Sequence, residues 1–173
     1  MGILDYRRHF LLLGAGTVVL GLMTRLPSLF SGRLFLLFGV AGALHATAVV
    51  LALRSRTSWP SRLAFVVAAA AVSVAAPLGA LPLAGLVKLE VGTVVFATLA
   101  LTSAFGAALY WLLLRGWWAP GLSARSLLAT VGACVAAPLG AALATGLLSL
   151  PRDVLLPALW WLAFSASLQV SGR

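Results

Sequence analysis

The sequence predicts an all-α integral membrane protein, a polytopic bundle of about six transmembrane helices with no soluble domain. Three observations carry this reading. The chain of 173 residues is 62% hydrophobic and only 9% charged, whereas soluble domains run near 45–50% apolar and about 25% charged. Its mean hydropathy is +1.11. Long apolar segments recur from Phe10 to Val170, and the gaps between them, the longest being Arg54–Arg62 and Arg115–Arg125, are too short to fold alone. One domain covering 1–173 is therefore expected.

A helix needs about 20 apolar residues to cross the hydrocarbon. The first qualifying segment is 10–29, which contains Arg25 and is interrupted at Pro27. Arg25 lies close enough to the end to reach the interface along its own stem. Arg7-Arg8 before an apolar run resembles a secretory leader. Thr24-Arg25-Leu26-Pro27 offers no small-residue cleavage site, however, and a second apolar segment follows at once, so an uncleaved first helix is expected. The remaining spans are 34–53, 63–87, 91–114, 127–150 and 154–170, the last near the lower length limit.

Basic residues at the segment ends set the topology. With the N-terminus cytoplasmic, the inner side holds Arg7, Arg8, Arg54, Arg56, Arg62, Arg115, Arg125 and Arg173. The outer side holds Arg25, Arg33, Lys88 and Arg152. Eight against four places both termini inside. Trp59, Trp111, Trp117 and Trp118 all fall at the same inner end, where indole rings anchor. The Ala/Leu/Gly/Arg bias and short loops point to a bacterial inner (plasma) membrane.

A net charge of +9 would suggest nucleic acid as the partner of a soluble protein. Here the basic residues sit at span ends, where they contact anionic lipid headgroups. The expected partners are the bilayer, its anionic lipids and other membrane subunits, not nucleic acid.

Val74-Ala-Ala-Pro-Leu-Gly-Ala80 recurs letter for letter as Val135-Ala-Ala-Pro-Leu-Gly-Ala141, each copy near the middle of a span. Both spans run the same way, so the repeat relates two hairpins in parallel, 62–115 and 123–173. Coincidence in an Ala/Leu-rich chain is the competing explanation. Pro77 and Pro138 each remove a backbone hydrogen bond and kink a helix. Matched kinks at mid-depth point to a solute or ion site made of Pro77, Gly79, Pro138 and Gly140, or to a purely structural fit, since proline is ordinary in such helices.

Small residues recur at spacing four: Gly132, Ala136, Gly140 and Ala144 in the fifth span; Ala100, Ala104 and Ala108 in the fourth; Ala71, Ala75 and Gly79 in the third; Gly39, Ala43 and Thr47 in the second. Such stripes let helix backbones approach closely in lipid. The fifth span, small on two adjacent faces, is expected to be the most enclosed.

His45 is the one strongly polar titratable residue well inside a span and is a functional candidate by position. A neutral, hydrogen-bonded histidine is the plainer reading. Haem would need a second axial ligand, and His9 is expected at the membrane edge. Trp160-Trp161 lie deeper than a headgroup belt and either stack on a ligand or fill space.

Asp5, Glu90 and Asp153 sit near interfaces, and no carboxylates pair at mid-depth. Cys134 is the single cysteine, which leaves no internal disulfide and no cysteine-based metal site. No His-Glu-x-x-His, no Gly-x-Ser-x-Gly and no phosphate-cradling loop is present. No catalytic residue, cofactor or metal is therefore expected. The leading expectation is a non-catalytic subunit of a larger inner-membrane complex. The alternatives are a transporter or channel at the proline kinks, and an intramembrane enzyme using His45.

Overall fold

A computed structural model describes residues 5–24, 34–53, 57–85, 91–145 and 152–171. Among these residues are six helices and no strand. They are α1 (Tyr6–Thr24), α2 (Leu34–Ala52), α3 (Trp59–Gly85), α4 (Val91–Trp117), α5 (Ala124–Thr145) and α6 (Arg152–Ser171). Continuous apolar runs favour helix because every backbone group is satisfied within the segment. Polar residues set the starts. Asp5 caps α1 by accepting from the Arg8 amide at 3.3 Å, and Ser123 caps α5 by accepting from the Ser126 amide, also at 3.3 Å. The Asp5 cap starts α1 before the apolar run, so Arg7, Arg8 and His9 lie within the helix.

Each helix packs on the next, and α1 also packs on α6, so the six form a closed ring. Contacts at the helix ends show the alternation in direction. The Asp5 amide donates to the Ala52 carbonyl at 2.8 Å, joining the start of α1 to the end of α2. Trp117 Nε1 donates to Ser61 Oγ at 3.1 Å, joining the end of α4 to the start of α3.

Among the described residues, three helices are long and apolar enough to cross a membrane: Trp59–Ala80, Phe96–Trp117 and Ala124–Leu143. Leu36–Ala52 and Leu155–Leu168 are apolar but shorter.

The ring interior is filled mainly by large side chains, including Tyr110, Trp111, Phe65, Phe164 and Leu20, all essentially inaccessible. Bulky apolar residues also cover the outside, among them Leu11, Val67, Leu128, Leu143 and Leu162. The small-residue stripes do not all lie where their spacing suggests. Ala71, Ala75 and Gly79 face outward on α3, and Gly132, Ala136 and Gly140 face outward on α5. The stripe that α5 buries is Ser126, Thr130, Cys134, Pro138 and Ala142. The weakly polar hydroxyls and the thiol that turn inward find protein partners there. Among the described glycines, the closest approach of a neighbouring helix is at Gly42, between α2 and α3. A Cβ on Gly42 would overlap the Ser73 side chain and lie 3.0 Å from the Ala69 carbonyl oxygen.

Candidate functional site

His45 points into the ring and is 1% exposed. Four aromatic rings surround it. Trp161 lies parallel at 5.6 Å between ring centres, Tyr110 tilted at 5.0 Å, and Trp160 and Phe164 edge-on, both at 5.8 Å. These rings come from α4 and α6, across the interior from α2. They are there because α6 turns Trp160, Trp161 and Phe164 inward over one helical turn, and α4 brings Tyr110 to the same level.

His9 joins this cluster. It is fully buried, with its ring centre 6.3 Å from that of His45. This overturns only the argument that separated the two histidines. His9 Nε2 makes a 2.7 Å hydrogen bond with Ser165 Oγ on α6. Nearby hydroxyls are also paired: Ser167 Oγ donates to the Phe164 carbonyl at 2.7 Å and lies 2.9 Å from Thr130 Oγ1. Trp160 Nε1 donates to the Ser103 carbonyl at 3.2 Å, fixing the indole beside His45.

Several buried polar atoms in the cluster lack a hydrogen-bond partner: both ring nitrogens of His45 and the hydroxyl of Tyr110. Buried polar groups are ordinarily paired, and leaving one unpaired costs about 1–3 kcal/mol. Their concentration beside one another makes this the chemically distinctive part of the molecule. An imidazole offers one donor and one acceptor when neutral, and a phenol offers both. The cluster is therefore suited to a small polar molecule or a transferable proton. Among the described residues, no three His, Cys, Asp or Glu side chains gather as a metal-ligand set.

The other sequence candidates lie on α3 and α5. Pro77 and Pro138 are both buried, but they belong to α3 and α5, which are separated in the ring by α4. Gly79 and Gly140 are exposed, with nothing within 4 Å of where a side chain would begin. The identical letters of the repeat thus occupy two separate places. Cys134 is buried and its thiol approaches the Trp160 carbonyl at 3.9 Å.

Sequence spacing did not place His9, Tyr110 and Ser165 beside His45, because they come together through the contacts of α1, α4 and α6. Comparison with known proteins finds no match to a family model, a curated protein or a solved structure.

Proposed function

We propose that this chain is a non-catalytic integral membrane subunit of a larger inner-membrane complex, crossing the bilayer six times with both termini cytoplasmic. The observation that carries this reading is the outward face of α5. Gly132, Ala136 and Gly140 are exposed there, with open space beyond both glycines; Ala71, Ala75 and Gly79 form a second outward small-residue stripe on α3, and bulky residues cover much of the remaining outside. In lipid, a small-residue face lets another helix approach closely enough for dispersion to hold it. The large apolar residues outside the ring support immersion in lipid, since a water-soluble surface rarely carries so many. Arg7, Arg8, Arg115 and Arg125, on the ends expected inside, are exposed and suited to anionic headgroups.

The test is photo-cross-linking in native membranes from positions 132, 136 and 140 of α5, with positions 67 and 162 as outward controls on α3 and α6. A protein adduct of one defined mass from the α5 positions alone supports the subunit reading. Lipid adducts from every position argue against it.

A second reading is favoured by the unpartnered atoms around His45. Here the chain binds a small polar solute or moves a proton within the ring, at His45 and not at the proline kinks. Loss of solute-dependent stabilisation or proton flux in His45→Ala, with the fold intact, supports that reading.

A further inference from the structure

A groove of about 610 Å³ runs along the outside of the ring between the later half of α2 and the start of α3. That size lies within the roughly 300–1,000 Å³ of small-molecule sites. Its walls are Thr47, Val50 and Leu51 from α2, and Trp59, Leu63 and Val66 from α3. Thr47 adds little polarity, because its hydroxyl donates to the Ala43 carbonyl of its own helix at 2.7 Å. The walls therefore suit a hydrocarbon chain.

Among the described residues that line the groove, one is charged. Arg62 lines the groove from the first turn of α3. Its Nε donates to Thr57 Oγ1 at 2.9 Å, and its guanidinium carbon lies 5.7 Å from the centre of the Trp59 ring. These contacts hold the cation at the indole-bearing end of the groove. Trp59 is 72% exposed, as befits an indole at a headgroup level. A guanidinium matches a phosphate through paired N–H donors better than a flexible ammonium does.

We propose that this groove holds one anionic phospholipid of the surrounding bilayer, with an acyl chain along α2 and α3 and the phosphate at Arg62. This inference rests on the membrane reading above. An apolar protein helix would bring no counter-charge to the Arg62 cation, whereas an anionic lipid brings a phosphate to it.

The test uses the full chain, purified in mild detergent, stripped of lipid and mixed with phosphatidylglycerol or phosphatidylcholine of identical acyl chains. Native mass spectrometry counts retained lipid, and thermal unfolding records stabilisation. One phosphatidylglycerol should be retained in preference to phosphatidylcholine. Arg62→Gln should weaken that retention by roughly tenfold, the loss of one charge-assisted pair. Leu51→Trp, which fills the groove and leaves the charge, should weaken it as well, and lipid-free unfolding of both variants checks that they fold. Equal retention of the two lipids, or unchanged retention in both variants, overturns the proposal. A chain that needs detergent yet shows no lipid preference sinks this proposal alone. A chain that stays dispersed and folded in water without detergent sinks the membrane reading too.

Discussion

The imidazole of His45 and the indole of Trp161 lie parallel across the ring, with 5.6 Å between centres and 5° between planes. They tie α2 to α6, two helices separated in the ring by α1. Each such aromatic pair contributes about 0.5–1.5 kcal/mol beyond simple burial. The ring therefore has a packed aromatic centre, and among the described residues the unpartnered His45 nitrogens and Tyr110 hydroxyl gather there.

That arrangement makes Tyr110 informative. Its hydroxyl is buried and unpartnered, so Tyr110→Phe should leave stability in detergent unchanged or slightly raised. A clear drop in melting temperature would show that the hydroxyl is engaged by another group in the folded protein.

Ser165 behaves oppositely. Ser165→Ala removes the 2.7 Å partner of His9 Nε2 and should cost about 1–3 kcal/mol. Ser165→Thr, which keeps the hydroxyl, should cost less. Thermal unfolding of the two variants checks the order.

The glycines divide sharply. Gly42→Ala drives a Cβ against Ser73 and the Ala69 carbonyl and should destabilise by about 1–3 kcal/mol through overpacking. Gly132→Ala meets open space and should be neutral or gain up to about 1 kcal/mol from helix propensity. Denaturation of the isolated chain measures both, and the reverse order would contradict the α2–α3 crossing.

Much of the fold was legible because apolar length is a strong signal and short loops leave few alternatives. Which face turns inward was not, since these helices are apolar on all sides and small residues abound. Gly132, Ala136 and Gly140 have the spacing of a buried stripe and lie outside. The better signal on α5 was Ser126, Thr130 and Cys134, whose polar atoms find protein partners within the ring. His9 was set apart from His45 because it directly follows Arg7-Arg8, a pair that marks a segment end. The Asp5 cap starts the helix before them, and the helix turns His9 toward α6 while both arginines stay outside.

Topology is tested by reporter fusions after residues 58, 89, 120 and 152. The excess of basic residues at one end predicts cytoplasmic signals at 58 and 120 and external signals at 89 and 152. An external signal at 58 or 120 would invert or break the six-span arrangement.

The most direct test of the subunit reading is the mass of the particle that mild detergent extracts from native membranes, compared between wild type and Gly140→Leu. Gly140 faces outward into open space, so the substitution should leave the isolated chain's stability within about 0.5 kcal/mol, as at other exposed sites. Any partner helix seated on α5 would be pushed away. The account predicts a wild-type particle well above the 17.9 kDa of one chain, and a Gly140→Leu particle that has lost the partner while remaining folded. Identical masses for the two proteins would contradict the claim that the α5 face joins this chain to a larger assembly.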